Sequence, residues 1–283
     1  MILVFGKTGQ VARELAGLAP AATFRGRAEV DVTRPGDCAE TIRSHCPSAV
    51  INATAYTAVD RAEDEADIAH AVNGDAPGAM ARAAAELGIP FIHISTDYVF
   101  NGAGDAAFAP GDPKGPLNTY GQSKLAGEEL VRAAGGAHAI LRTSWVFSSH
   151  GANFVKTMLR LSHTQGALSI VDDQIGGPTP ARAIAEACLV IAERLKDAPE
   201  LSGTYHFSGA PDTSWKGFAE AIFAAAGREV AVTGIPTADY PTPARRPLNS
   251  RLDCSTTARA FGVARPAWRQ SLGEVTKTLL EAN

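Results

Sequence analysis

The chain has 283 residues, 45% of them hydrophobic and 20% charged, and its 26 Lys and Arg against 30 Asp and Glu give a formal net charge of −4. This composition is that of an ordinary globular protein with one large domain or two unequal ones, and it excludes a disordered chain. The basic residues are scattered, which argues against a nucleic-acid partner and favours a small acidic or neutral ligand.

The first predicted element is a buried strand that leads through a tight turn into a helix. Residues 1–5 are an apolar run that ends at Gly6, and Gly9 precedes the expected helix. Gly6 can take a backbone conformation closed to other residues, and Gly9 lets the chain approach a phosphate at the helix N-terminus. Ala12 stands where such fingerprints usually carry a third glycine. The pattern predicts a dinucleotide site, with an ordinary strand-to-helix turn as the alternative.

Strand-like and helix-like segments then alternate along the chain. Apolar runs cover residues 22–24, 49–51, 91–94, 139–141 and 168–171, and helical patterns cover residues 75–87, 120–134 and 180–195. Such alternation implies right-handed crossovers and a parallel sheet covered on both faces. The predicted fold class is α/β, a doubly wound parallel sheet of the Rossmann type, whose ligands bind beyond the carboxyl ends of the strands.

The character of the chain changes near residue 176. Residues 176–180 and 235–247 are rich in glycine and proline, which breaks the alternation. We therefore predict a dinucleotide-binding domain over residues 1–170 and a smaller C-terminal substrate-binding subdomain over residues 171–283, interleaved with the end of the sheet.

Polar residues near the second strand suggest which dinucleotide binds. Asp31 suits a contact to adenine or ribose, and Arg25 and Arg27 could meet a 2′-phosphate. This favours NADPH, with NADH possible, and the alternative is that both arginines are solvated surface residues.

A second group of polar residues follows the predicted strand at 91–94. The Thr96 hydroxyl can hydrogen-bond a substrate carbonyl, and Asp97 can accept from a sugar or ribose hydroxyl. Residues 52–57 follow the third strand in the equivalent position and would line the nicotinamide side. The alternative for Thr96 is a cap at the end of the strand.

Tyr120 and Lys124 are four residues apart on a predicted helix, which places phenol and ammonium on one face. A fixed cation stabilises a phenolate, so Lys124 is expected to lower the pKa of Tyr120 and let it donate a proton near neutral pH. Because the spacing also occurs by chance, the other motifs have to support it.

Nothing in the sequence suggests export or membrane insertion. We find no basic and apolar leader and no run of about 18 apolar residues. The four cysteines are too few for a disulfide framework and too far apart for a metal knuckle. We expect a cytoplasmic protein with reduced thiols.

Taken together, six segments resemble the dTDP-4-dehydrorhamnose reductases of the extended short-chain dehydrogenase/reductase superfamily. They are Gly6-x-x-Gly9-Gln10, Asn52-Ala-Thr-Ala-Tyr-Thr57, Ser95-Thr-Asp-Tyr-Val-Phe100, Tyr120-Gly-x-Ser-Lys124, Leu141-Arg-Thr-Ser-Trp-Val146 and Pro241-Thr-Pro-Ala-Arg-Arg-Pro247. The glycine turn and the Tyr-x-x-x-Lys spacing are typical of the whole superfamily, whereas the third and sixth segments are far more specific.

The resemblance implies reduction of the C4 ketone of dTDP-4-dehydro-L-rhamnose to dTDP-L-rhamnose with NADPH or NADH. It implies that Tyr120 is the proton donor, that Lys124 is its pKa partner and ribose anchor, and that Thr96 assists at the substrate oxygen. The other matching cofactor positions are Gly9, Gln10, Val11, Asp31, Val32, Ala55, Tyr56 and Thr57. Asp97 and Trp145 match substrate positions, and Arg245 and Arg246 are candidates for the nucleotide diphosphate.

In one respect the chain departs from the family. Some relatives are dimers that hold magnesium through interface carboxylates, and Glu14 matches one such position, whereas Arg182 occupies another. A cation in place of a carboxylate argues against that metal site. We therefore expect no magnesium there and a monomer or weak homo-oligomer.

Two rival functions stay open on the sequence alone. One is a nucleotide-sugar epimerase or dehydratase of the same superfamily. The other is a non-catalytic regulatory subunit resembling that of methionine adenosyltransferase, because one fold supports many functions.

Overall fold

The computed structural model describes residues 1–282. Its strands are β1 (Ile2–Phe5), β2 (Thr23–Arg25), β3 (Ala49–Asn52), β4 (Phe91–Thr96), β5 (His138–Thr143), β6 (Val146–Phe147), β7 (Ala167–Val171), β8 (Ile175–Gly176), β9 (Thr179–Pro180), β10 (Gly203–His206), β11 (Thr213–Ser214), β12 (Ala231–Ile235) and β13 (Asn249–Ser250). Its α-helices are α1 (Gln10–Leu18), α2 (Pro35–His45), α3 (Ala66–His70), α4 (Ala76–Glu86), α5 (Thr119–Ala133), α6 (Phe154–Leu161), α7 (Ala181–Asp197), α8 (Trp215–Ala225), α9 (Ser255–Phe261) and α10 (Trp268–Glu281).

Six parallel strands form the central sheet, in the order β10-β5-β4-β3-β1-β2. The chain starts at β1, moves outward to β2, and then returns to β3 on the other side of β1. In a doubly wound sheet, the crevice between β1 and β3 is the expected ligand site, because the strand order reverses there. The predicted α/β Rossmann fold is confirmed.

Both faces of the sheet are covered by helices. Alternate strand residues point to opposite faces, so Val4 packs towards α1 and α7 whereas Leu3 and Phe5 pack towards α2 and α4. These side chains are fully buried, and each such burial contributes roughly 1.5–3 kcal/mol. A third apolar core around Phe218 and Trp268 joins α6, α8 and α10.

Two parts of the predicted sheet need correction. The run at 168–171 does not extend the central sheet, because β7 pairs with β12 in a separate two-stranded parallel sheet. The sixth strand is β10, which lies beside β5 and comes from the part of the chain assigned to the substrate-binding subdomain. Strands from both sides of residue 170 therefore build one sheet. Within residues 1–282, no helix is long and apolar enough to span a bilayer.

Candidate active site

The glycine turn lies where β1 and β3 meet. Gly6 has φ of +114°, and a Cβ at Gly6 would lie 3.1 Å from the Ala53 carbonyl oxygen that follows β3. Gly9 caps α1 in an extended conformation, and no side chain caps the first N–H groups of α1. Ala12 is fully buried, and its methyl group is accommodated 3.4 Å from the position that a Cβ at Gly6 would occupy. The turn therefore fits a dinucleotide pyrophosphate at the helix N-terminus.

The two residues after Gly9 have different environments. The Gln10 amide nitrogen donates to the Val146 carbonyl at 3.3 Å, and its oxygen accepts from Ser148 and Asn153 at 3.2 and 2.9 Å. Gln10 thus ties the glycine turn to the segment that leads into α6. The side chain of Val11 is buried in the core, so only its backbone faces the turn.

The residues predicted to contact the adenosine part of the cofactor differ in whether their side chains already have hydrogen-bond partners. Asp31 is exposed and accepts from the backbone N–H and the hydroxyl of Thr33, which lowers the pKa of its carboxyl. Arg27 is exposed, whereas the Arg25 guanidinium donates to His45 at 2.6 Å. Arg27 is therefore the better placed of the two arginines for a 2′-phosphate. The predicted cofactor residue Val32 is buried in the core.

The loop after β3 is fixed to the helix that carries Tyr120. The Asn73 side chain accepts from the Tyr56 N–H at 2.9 Å and donates to the Tyr56 carbonyl at 3.1 Å. Asn73 also donates to the Ser123 hydroxyl on α5 at 3.0 Å, and the Tyr56 hydroxyl donates to Glu65. The loop is therefore held in one position relative to α5. The two other cofactor residues predicted on this loop are Ala55 and Thr57.

The buried Thr96 and Asp97 and the half-buried Tyr120 meet at the carboxyl end of β4. The Thr96 hydroxyl donates to Asp97 Oδ1 at 3.0 Å and accepts from the Tyr98 N–H at 3.2 Å, and it lies close enough to the Tyr120 phenol to lower the pKa of Tyr120 in part. Burial raises the pKa of Asp97 to about 6, although Ser250 and Thr96 partly offset this rise. Asp97 Oδ2 is buried and has no hydrogen-bond partner. The site thus presents one unsatisfied acceptor beside a phenol.

The predicted effect of Lys124 on Tyr120 is wrong for this structure. Burial raises the pKa of Tyr120 to about 12, the nearby Thr96 hydroxyl lowers it in part, and the charge of Asp97 raises it further. The Lys124 ammonium donates to the Ile94 carbonyl at 2.7 Å and makes no hydrogen bond to the Tyr120 phenol. Burial lowers the pKa of Lys124 itself to about 8.

A buried ion pair lies one helical turn beyond Lys124. Arg142 donates through Nε and Nη2 to the two oxygens of Glu128 at 2.8 and 2.6 Å, and both side chains are fully buried. Ser95 donates to the same carboxylate at 2.7 Å. Burial raises the pKa of Glu128, but the hydrogen bonds and charge of Arg142 outweigh burial and hold that pKa below its ordinary value. This pair fixes α5 against β4 and β5.

Trp145 lies in the segment between β5 and β6, as part of an aromatic cluster. Its ring stacks on Trp215, whose indole N–H donates to Gln174 at 3.1 Å. A Cβ at Gly176 would lie 3.0 Å from the Trp145 ring, so glycine leaves the space that this ring needs. Phe154 also packs against Trp215, with 4.7 Å between the ring centroids.

The two candidate diphosphate arginines differ in their contacts. Arg246 forms an ion pair with Asp60 at 2.8 Å, and Asp60 also accepts from the Ala244 N–H at 3.1 Å. Arg245 is exposed, and its carbonyl accepts from Asn118, the N-cap of α5. The 241–247 loop is thereby tied to the loop after β3 and to the start of α5.

Glu14 and Arg182, which match positions of the family's magnesium site, both lie near side chains of opposite charge type. Glu14 lies 4.0 Å from His150, and Arg182 pairs with Glu186 on α7. Among residues 1–282, no three His, Cys, Asp or Glu side chains are grouped to hold a metal ion.

Several residues that shape this site were not predicted from the sequence. His93, Glu128, Arg142 and Trp215 received no role, although His93 and Arg142 lie within the otherwise apolar strands β4 and β5 and Glu128 lies on the buried face of α5. Such a residue inside a buried strand or on a buried helix face is unusual and is a usable signal. Their pairing could not be read from the sequence, because it depends on strand register.

Comparison with known proteins assigns the family. The RmlD substrate binding domain family model matches residues 1–281. A dTDP-4-dehydrorhamnose reductase from Sinorhizobium fredii is 44% identical and covers 99% of this chain and 97% of its own length. The crystal structure of a dTDP-4-dehydrorhamnose reductase from Clostridium acetobutylicum has a TM-score of 0.92 and 34% identity, with 99% of each chain covered. That of the Bacillus anthracis enzyme in complex with NADP has a TM-score of 0.90 and 32% identity, with 98% covered. This chain therefore belongs to the dTDP-4-dehydrorhamnose reductase family.

Proposed function

We propose that this chain is an NADPH-dependent oxidoreductase that converts dTDP-4-dehydro-L-rhamnose to dTDP-L-rhamnose. The observation that carries the proposal is the group formed by the buried Thr96 and Asp97 and the half-buried Tyr120, which lies at the carboxyl end of β4 in a sheet whose first turn suits a dinucleotide. Relatives named as reductases match nearly the whole chain, which favours this activity over an epimerase, a dehydratase or a regulatory subunit.

The proposed chemistry uses Tyr120 as a general acid. When bound, the cofactor supplies a hydride to the ketone carbon, which leaves negative charge on the ketone oxygen. Because the pKa of Tyr120 is about 12, the phenol is protonated at neutral pH and gives its proton to a strong base such as this oxygen. The neighbouring Thr96 hydroxyl, which lowers the pKa of Tyr120 in part, would stabilise the phenolate that remains.

The substrate would bind through residues that surround this acid. Asp97 Oδ2 has no hydrogen-bond partner, so a sugar hydroxyl would satisfy it. Trp145 offers an apolar wall, and the exposed Arg245 together with Arg246 would bind the diphosphate.

The dinucleotide would bind along the glycine turn and the neighbouring loops. Gly9, Gln10 and Val11 would offer backbone N–H groups to the pyrophosphate, and Arg27 would meet a 2′-phosphate. We assign Lys124 the role of ribose anchor. The remaining proposed contacts are Gly6, Asp31, Val32, Ala55, Tyr56 and Thr57.

We further propose that residues 1–170 mainly bind the dinucleotide and that residues 171–283 mainly bind the sugar nucleotide. We also propose that the protein acts in the cytoplasm.

We propose that the protein is a monomer or weak homo-oligomer and that its oligomeric state does not depend on magnesium. Sedimentation with magnesium chloride and with a chelator tests this, and a dimer that forms only with magnesium would contradict it.

The test is an absorbance assay at the reduced-nicotinamide band with enzymatically made dTDP-4-dehydrorhamnose. We expect stoichiometric loss of NADPH, and we expect Tyr120→Phe to lose roughly 10²- to 10⁴-fold in turnover with unchanged NADPH affinity. Conversion of the sugar nucleotide without net NADPH consumption would instead indicate an epimerase or dehydratase. No NADPH consumption with any keto-sugar nucleotide would favour the regulatory subunit.

A further inference from the structure

A continuous line of polar side chains runs from the loop after β3 to Lys124. It consists of Thr54, Asn52, His93 and Lys124, and each neighbouring pair is in hydrogen-bond contact. Asn52 and His93 are register partners on β3 and β4, so their side chains project from the same face of the sheet. That face is the one covered by α5, which carries Lys124. Asn52 and His93 are fully buried and Lys124 is 1% exposed.

The orientation of the Asn52 amide follows from its partners. Its Oδ1 accepts from the Thr54 backbone N–H at 3.0 Å and from the Thr54 hydroxyl at 2.6 Å. A backbone N–H can only donate, so the oxygen must face Thr54 and Nδ2 must face His93. Nδ2 lies 3.2 Å from His93 Nδ1. Because an amide nitrogen is only a donor, Nδ1 has to be the acceptor.

This arrangement fixes the tautomer of His93. Burial, followed by the charge of Lys124, places the pKa of His93 well below its ordinary value, so the ring is neutral. A neutral imidazole with an accepting Nδ1 carries its hydrogen on Nε2. Nε2 lies 3.4 Å from Lys124 Nζ. The hydrogen of the ring therefore points at the amine.

The tautomer affects the two forms of Lys124 differently. An ammonium has donors only, so it opposes the Nε2–H group, whereas the lone pair of a neutral amine can accept from that group. The Ile94 carbonyl, 2.7 Å from Nζ, takes one amine hydrogen in either form. The contact with His93 therefore weakens proton binding at Lys124 and leaves the direction of the amine unchanged.

We propose that His93 is a positioning residue that holds the Lys124 amine against the Ile94 carbonyl and, through a tautomer imposed by Asn52, disfavours its ammonium form. The effect of His93 on turnover rests on the proposed reductase activity, whereas the tautomer of His93 is independent of that activity.

Other ionisable groups also face Lys124. Burial lowers the pKa of Lys124 to about 8, and Glu128, one turn further along α5, raises it. The charge of Glu128 is largely offset by Arg142 from β5. Tyr120 lies one turn away on the other side, and its phenol is neutral below its pKa of about 12. His93 is the ionisable group that touches Nζ from β4, beside the Ile94 carbonyl of the same strand.

The direct test is long-range proton–nitrogen NMR of the histidine rings in the wild-type protein. We assign the His93 signals from their loss in His93→Gln. We expect a neutral ring that is protonated on Nε2 from pH 6 to 9. A proton on Nδ1, or a doubly protonated ring in this range, would overturn the proposal. The measurement needs no turnover, so its failure is distinguishable from failure of the reductase assignment.

A kinetic test uses Asn52→Asp, which keeps an oxygen for Thr54 and offers a second oxygen to His93. The carboxylate accepts from Nδ1–H, so the ring hydrogen should move to Nδ1 and Nε2 should accept from the ammonium. We expect the alkaline limb of the kcat profile to move up by about one pH unit. The added negative charge also favours the ammonium, so the same substitution in the His93→Gln background is the control. An equal shift in that background, or no shift although the ring hydrogen has moved to Nδ1, would refute the role of His93. A ring that is still protonated on Nε2 would refute the control of its tautomer by Asn52.

Discussion

The Trp145 ring stacks on the Trp215 ring with centroids 3.7 Å apart and planes inclined by 13°. Trp145 does so with φ of +48°, a left-handed conformation that is rare for a bulky residue. A residue held in this way needs support from its surroundings, and such residues cluster at ligand sites. Here the support is the ring of Trp215, which has its own anchor at Gln174.

From this stack we expect Trp215→Ala to weaken substrate binding through Trp145. Loss of an aromatic pair is worth about 0.5–1.5 kcal/mol, so the Michaelis constant for the sugar nucleotide should rise roughly 2- to 12-fold, while that for NADPH stays unchanged. Trp215→Phe, which keeps a ring, should show a smaller rise. Steady-state kinetics with each substrate varied in turn measures both constants, and equal rises for the two would contradict this role.

The buried Asp97 should weaken the fold as the pH rises from about 4 to about 6. Its pKa is about 6 in the fold against an ordinary value of 3.8, so the folded state binds the proton more tightly and loses stability as the pH rises through this window. Asp97→Asn should therefore be more stable than wild type by about 1–3 kcal/mol at pH 7.5 and equal to it below pH 4. Urea unfolding at several pH values measures the difference. A constant difference across this range would show that the carboxyl does not titrate as stated.

Substitution of only one member of the Glu128–Arg142 ion pair should lower the stability of the fold. Arg142→Met leaves a buried carboxylate without its main partner, and we expect a loss of about 3–5 kcal/mol in the free energy of unfolding. Arg182→Met is the matched control, because its pair with Glu186 is exposed and should change stability by about 0.5 kcal/mol or less. Glu128→Leu combined with Arg142→Met should recover part of the loss. Equal effects of Arg142→Met and Arg182→Met would rule out a special role for the buried pair.

Arg27 should contribute to the choice between the two nicotinamide cofactors. A charged hydrogen bond to a 2′-phosphate is worth about 1.5 kcal/mol or more, so Arg27→Ala should raise the dissociation constant for NADPH about tenfold and leave that for NADH unchanged. Arg34→Ala, an exposed arginine paired with Asp37, is the control. Fluorescence titration gives both constants. If the two cofactors lose affinity equally, Arg27 does not bind the 2′-phosphate.

The central sheet was largely predictable because its strands are local patterns. The apolar runs near β1, β3, β4 and β5 stand out as short segments bounded by helices and polar residues, and the structure has strands there. Strand β10 was missed because Gly203–His206 mixes glycine, threonine, tyrosine and histidine, and its burial comes from a neighbour far away in sequence. The pairing of a strand with another that is distant in sequence leaves no periodic pattern in the local sequence.

The site was predictable as a set of residues but not as a set of contacts. The spacing of Tyr120 and Lys124 correctly places them on one helix, α5. It does not show that the ammonium donates to Ile94 of a neighbouring strand, since that contact depends on how α5 packs on β4. The same holds for Asn52 and His93, whose proximity is set by the register of β3 against β4.

Because β10 comes after the segment that contains Trp145 yet lies beside β5, the chain cannot be divided at residue 170 without exposing a sheet edge. A fragment that ended there would leave the unpaired backbone groups of His138–Thr143 facing water or another molecule. Such a truncation should self-associate along that strand.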